Sequence, residues 1–305
     1  MAKIALKVDV DTLRGTKEGA PNLARTLAHF GLKATFLFSL GPDHTGWALK
    51  RVFRPGFLKK VSRTSVVEHY GIKTLLYGVL LPGPDIGKQA ADQMRAIDQA
   101  GHETGIHTWD HVDWQDAVRS KDAKWTKAQM QKSWDRFIEI FGHAPVTYGA
   151  AGWQMNEAAF EQLDQWGIQY SSDGRAPPNL MPYRLALSSG KAKHVQYPTT
   201  LPTFDELIGI DNADEFRAVK KLLELTKNNP NDQVFTLHAE LEGQKLLPAF
   251  EQLLAGWLNQ GHELVTMGKL HRSWDVTKQL DKIAVLPVTW GEVPNRSGEL
   301  IVQDH

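Results

Sequence analysis

Short β-rich runs alternate with helix-like stretches along most of the chain. "KIALKVDV" (residues 3–10) leads into "GAPNLARTLAHFG" (19–31) and "KATFLFSL" (33–40), and "DIGKQAADQMRAIDQAG" (85–101) runs into "HETGIHT" (102–108). The rhythm returns after "WTKAQMQKSWDRFIEIFG" (125–142), in "EAAFEQLDQWGIQYSSD" (157–173), and again where "QVFTLHAE" (233–240) precedes "LPAFEQLLAGWLNQGHELVTM" (247–267). The helical stretches are apolar at three- and four-residue spacing, and two of them end at Gly31 and Gly101, as helix C-termini commonly do. Alternation of this kind lays helices over a parallel sheet or barrel, so the expected fold class is α/β.

One segment breaks the rhythm. From Gly46 to Gly83, Lys50, Arg51, Arg54, Lys59, Lys60, Arg63 and Lys73 face only Glu68, and they are interleaved with Trp47, Leu49, Val52, Phe53, Phe57, Leu58 and Val61. The mixture suits an anionic membrane surface, where apolar burial and attraction to phosphates act together. Trp47, Lys50, Arg51, Arg54, Phe57, Lys59, Lys60 and Arg63 are the expected contacts. A helical pair with solvated lysines remains the alternative. Nucleic acid is not an expected partner, because the 35 basic and 35 acidic residues balance and no binding motif accompanies the patch. Residues 1–275 read as one domain carrying this insertion, and 276–305 as a partly irregular extension, with "WGEVPNRSGELIVQDH" (290–305) a loosely held tail.

The start, "MAKIALKVDVDT", enters a strand-like run at once and leaves no space for a signal peptide, so a cytoplasmic location is expected. No run of about 18 apolar residues suggests a membrane span. There is no cysteine, so a tightly held metal must use His, Asp and Glu.

His107 and His111 are four residues apart; twelve histidines in 305 residues give roughly half of one such pair by chance, so the pair alone proves little. On a helical turn both imidazoles would face one ion, and a third ligand without sulfur would be a carboxylate. In "LKVDVDT" (6–12), Lys7, Asp9 and Asp11 share one face of a strand while Leu6, Val8 and Val10 share the other. Two carboxylates at a strand's C-terminal end await a cation, although either could instead cap a helix or begin a turn. "VFTLHAE" (234–240) ends a strand at His238, either a proton donor or a histidine satisfied by backbone.

"DVD", "HTWDH" and "LH", each after a strand-like run, together resemble the polysaccharide deacetylase (NodB homology) family of metal amidohydrolases. The resemblance implies a distorted (β/α) barrel holding a divalent ion of the zinc, cobalt or manganese class on an Asp–His–His site. It assigns Asp9 as base, Asp11, His107 and His111 as ligands, and His238 as general acid. Asp173 falls where the family has an aspartate supporting that histidine, though a turn aspartate before Gly174 reads equally well. In "YGAAGW" (148–153) Trp153 matches the end of the third motif, while Gly149 stands where the family has an arginine beside the base. Arg175 is the expected substitute for that arginine, and Trp153 and Arg175 are the candidate substrate-binding residues.

The long separation of Asp11 from His107 looks like an insertion. With "DVDTLRGT", "GIHTWDHVDWQD" and "YGAAGWQMN", it makes the sequence similar to one branch of the family. That branch removes a formyl group from an aminoarabinose carried on undecaprenyl phosphate, in lipid A modification. The likeness implies a peripheral enzyme at the cytoplasmic face of the bacterial inner membrane. An N-acetyl sugar deacetylase and a catalytically silent lipid-binding member stand as alternatives.

Overall fold

The computed structural model describes residues 2–48, 71–180, 182–276, 282–296 and 298–303. In chain order its principal elements begin with β1 (Lys3–Val10), α1 (Ala20–His29), β2 (Thr35–Ser39), α2 (Ala91–Gln99) and β3 (Glu103–Thr108). They continue with α3 (His111–Ala117), α4 (Ala123–Phe141), β4 (Thr147–Tyr148), α5 (Glu157–Gln165), β5 (Tyr170–Ser171) and β6 (Val195–Gln196). The last are α6 (Glu215–Thr226), β7 (Gln233–His238), α7 (Leu247–Asn259), β8 (Glu263–Val265) and α8 (Met267–Val276).

These eight strands form one parallel sheet in the order β8-β1-β2-β3-β4-β5-β6, with β7 also paired to β1. β1 is the hub: residues 4–9 pair with β7, 7–10 with β2 and 3–5 with β8. The chain after β6 then bonds to β7, Thr200 N–H donating to Val234 O (3.1 Å) and Val234 N–H to Thr200 Oγ1 (3.0 Å), which brings the sheet's ends together. The result is the expected α/β architecture, a distorted barrel. Ile4, Leu6, Val8 and Val10 join the core with Leu23, Leu27 and Phe250. The other face of β1 is buried too, so Lys7, Asp9 and Asp11 point into the barrel's interior rather than towards solvent.

The C-terminal segment differs from the loosely held tail expected. Trp290–Gly291 pairs with Leu300–Ile301, Arg175 N–H donates to Ile301 O (2.8 Å) and Gln303 N–H to Arg175 O (2.9 Å), and Leu300, Ile301 and Val302 are buried. Its order comes from partners distant in sequence, which local periodicity cannot report.

Of the insertion, Lys50, Arg51, Arg54, Phe57, Lys59, Lys60 and Arg63 lie outside the described residues. Trp47 is described and half-buried. Its indole N–H donates to Gly78 O (2.7 Å) and its ring stacks on His44 at 3.9 Å, fastening the two ends of the insertion together.

His102, just before β3, accepts a hydrogen bond from Ala34 N–H through Nδ1 (3.3 Å), and burial, with Lys33 adding, lowers its pKa to about 4. A depressed pKa means that the unfolded chain takes up the proton first. The stabilisation is therefore complete above pH 6.5 and is lost as pH falls towards 4. Melting temperatures measured across this window should fall less steeply for His102→Gln, whose amide can accept the same bond without titrating.

Candidate active site

Strand ends and the turns that follow them build the site. Asp9 and His238 are register partners across β1 and β7, so their side chains emerge side by side. Asp11 follows one residue beyond β1. Its backbone is fixed by Glu240, whose Oε1 accepts from Asp11 N–H (3.1 Å), Thr12 N–H (2.9 Å) and Thr12 Oγ1–H (2.8 Å). Gly15 makes this approach possible, since a Cβ there would lie 1.9 Å from Glu240 Oε1.

His107 and His111 do not share a helical turn. His107 belongs to β3, whereas His111 opens α3, capped by Asp110 accepting from Asp113 N–H (3.1 Å). The strand-to-helix turn nevertheless brings the rings to 5.2 Å, with His107 Nε2 3.2 Å from Asp11 Oδ1 and His111 Nε2 3.4 Å from Asp11 Oδ2. One ligand atom from each of the three lies within 4.8 Å of the others. His107 Nδ1–H donates to Gly149 O (2.6 Å), which leaves the Nε2 lone pair facing Asp11.

The electrostatics suit a cation. Burial would raise the Asp11 pKa, but His111 and His107 hold it well below the usual carboxylate range. Burial would lower that of His107, yet Asp9 and Asp11 raise it. Asp9 Oδ1, Asp11 Oδ1 and His238 Nδ1 are buried with no hydrogen-bond partner in the protein. Orphaned groups concentrated at one end of a barrel fit an ion and a reacting molecule, and two imidazoles with a carboxylate are a donor set for a divalent metal.

The remaining expected residues divide. Trp153 is buried beside the site, its ring 6.4 Å from that of His238, and it occupies the left-handed region at φ +55 although it is not glycine. Asp173 does not bond to His238. Its Oδ1 accepts from Ala150 N–H (2.9 Å) and its Oδ2 from Gln196 Nε2–H (2.8 Å), so it braces the loop after β4, while His238 Nδ1 has no partner. Arg175 is committed to Glu206 through both terminal nitrogens and to the carbonyls of Thr199 and Leu201, and the cation against Asp9 is Lys7 instead. The nearness of Arg175 to Asp173 in sequence gave no measure of either partner.

Two acidic neighbours escaped the sequence reading, Glu240 and Glu242. Burial, with Asp11 adding, pushes the Glu240 carboxyl well up. Glu242, pushed up to about 8 by burial, accepts from His238 N–H through Oε2 (2.7 Å). The signal for both was "HAELEG", two acids directly behind a strand-ending histidine.

Comparison with known proteins adds relatives to this geometry. The family described as "Polysaccharide deacetylase" matches residues 3–171. A protein of Shewanella sediminis named "Probable 4-deoxy-4-formamido-L-arabinose-phosphoundecaprenol deformylase ArnD" is 35% identical over 301 residues, covering 98% of this chain and 94% of its own. One of the same name from Wigglesworthia glossinidia brevipalpis is 31% identical over 294 residues, covering 95% and 98%. Among solved structures, one assigned to the polysaccharide deacetylases of Mycobacterium smegmatis superposes with a TM-score of 0.62 at 17% identity, covering 96% and 95% of the two chains. An allantoinase gives 0.59 at 14% identity, covering 90% and 91%. At these identities the solved structures speak to the fold alone.

Proposed function

The chain belongs to the polysaccharide deacetylase family, and from that membership we propose that it hydrolyses the formamide of 4-deoxy-4-formamido-L-arabinose-phosphoundecaprenol. The products are formate and 4-amino-4-deoxy-L-arabinose-phosphoundecaprenol, for lipid A modification and resistance to polymyxin and related cationic peptides. The observation that carries the chemistry is the convergence of Asp11, His107 and His111 beside Asp9 and His238 at the C-terminal ends of three strands.

Asp11, His107 and His111 would hold a divalent ion of the zinc, cobalt or manganese class. Such an ion supplies Lewis acidity, making water more acidic and drawing electron density from a carbonyl oxygen. Asp9 takes the proton from the attacking water through Oδ1, the oxygen without an internal partner. His238 gives a proton to the sugar nitrogen as the C–N bond breaks, so that the leaving group departs as an amine rather than an amide anion. Trp153 walls the site beside His238 and excludes water from that side. One water is consumed, and one formate and one amine are produced.

The substrate's lipid carrier gives the insertion its purpose. The protein works as a peripheral enzyme on the cytoplasmic leaflet of the inner membrane, with the basic residues of 46–83 near anionic phosphates. Exposed Ile72 (69%), Val79 (52%) and Leu80 (75%) at the segment's described end support this reading. No helix among the described residues is long and apolar enough to cross a membrane. Reversing charge at Lys59, Lys60 and Arg63 should weaken binding to anionic vesicles in cosedimentation at low ionic strength by about a hundredfold or more, since each basic residue near such a surface contributes about 1 kcal/mol and three are lost. Unchanged binding would remove the insertion from the membrane contact.

The function is tested by supplying the formamido lipid in detergent and measuring formate with zinc, cobalt or manganese and after chelation. Metal-dependent formate release is the expected result. Acetate release from an N-acetyl sugar, with none of formate, would move the protein to the deacetylases.

A further inference from the structure

Lys7 lies in the middle of β1 with no exposed surface, an environment in which an ammonium is retained only when its charge is met. Its neighbours meet it from three sides. Nζ–H donates to Ser172 O (3.1 Å), Nζ lies 3.4 Å from Asp9 Oδ2, and the face of Trp153 is 5.2 Å away, within cation–π range.

The pairing with Asp9 is one-sided. Oδ2 is turned to the ammonium, while Oδ1 is left without a hydrogen bond on the side of His107, 4.0 Å from that ring's Nδ1. Room for this arrangement comes from Gly149, since a Cβ there would stand 2.3 Å from Leu37 Cδ1 and 3.2 Å from Lys7 Cε. The same glycine's carbonyl orients His107 (2.6 Å), so one close backbone approach serves both the lysine and a candidate ligand.

We propose that Lys7 is the positioning residue for the base: its ammonium holds Asp9 by Oδ2 and leaves Oδ1 as the oxygen that takes the proton from water. Arg175, the expected substitute for the family's arginine beside the base, cannot fill the role while Glu206 holds it. The inference rests on the reading of Asp9 as base. It adds that a cation two residues earlier on the same strand face fixes which carboxylate oxygen works. A lysine kept merely as a buried ion pair would leave turnover indifferent to its replacement by an apolar chain of similar volume.

The test compares Lys7→Met, Asp9→Asn and the double variant in the metal-loaded full-length protein, reading kcat, KM, metal stoichiometry and melting temperature. Lys7→Met should lose about a hundredfold in kcat, the lower range of a general base's contribution, with KM and metal content unchanged. On the Asp9→Asn background it should lose little more, because it acts through Asp9. In Lys7→Ala, propylammonium should restore turnover and 1-propanol should not. Lys7→Met within about threefold of wild type while Asp9→Asn is inactive would overturn the proposal, as would loss of metal or fold in step with activity, or equal effects of the two additives. Wild-type turnover in Asp9→Asn would fail differently, removing the base assignment itself.

Discussion

Asp11→Ala is expected to lose bound metal and formate release together, with turnover falling by about a thousandfold or more, the scale of the several kcal/mol a metal contributes to a charged transition state. Asp11 is the anionic member of the ligand set and touches both imidazoles, at 3.2 and 3.4 Å. Without it two neutral imidazoles 5.2 Å apart offer two lone pairs and no negative charge, too small a donor set to hold a divalent ion tightly. The loop itself should survive, because Glu240 fixes it through the backbone N–H groups of residues 11 and 12 rather than through the Asp11 side chain. The check is calorimetric as well as kinetic: added zinc should raise the melting temperature of the wild type and leave that of Asp11→Ala unmoved. A variant that still bound one metal per chain would break the ligand assignment.

His238→Ala should behave in the opposite way, retaining metal while losing between about a hundredfold and ten-thousandfold in kcat, the range for a positioned proton donor. The imidazole stands beside Asp9 in register and belongs to no ligand cluster among the described residues, so its removal leaves the metal site intact. The loss should shrink for an artificial formamide whose amine leaves readily, since such a nitrogen needs less help from a proton. Full turnover of the natural substrate by His238→Ala would exclude the role. Measured side by side, the two variants separate binding of the ion from chemistry at the nitrogen.

Much of this site was legible in the sequence because its parts are local. Asp9 and Asp11 alternate on one strand face, His107 and His111 sit either side of a turn, and His238 ends a strand. Each is a short pattern with a chemical reason for its residue types. What was misread depends on partners far along the chain. The spacing of His107 and His111 fits a helix, but β3 runs to Thr108 and Asp110 starts the helix only at His111. Asp173 stands close to Arg175 in sequence, yet Ala150 and Gln196 hold the first and Glu206 the second. Lys7 was visible as the companion of Asp9 on one strand face, but an alternating pattern does not say whether that face meets water or the interior of a barrel.

By itself the sequence determined the α/β class, the family resemblance and the five residues that converge, because strand–helix periodicity and short motifs are encoded within a few residues of one another. Only the tertiary structure decided which cation serves Asp9, what Asp173 and Arg175 hold, and that Leu300–Gln303 dock against Arg175. Those outcomes are set by closure of a parallel sheet. It buries both faces of β1 and so requires every charge inside to find a partner, wherever in the chain that partner lies.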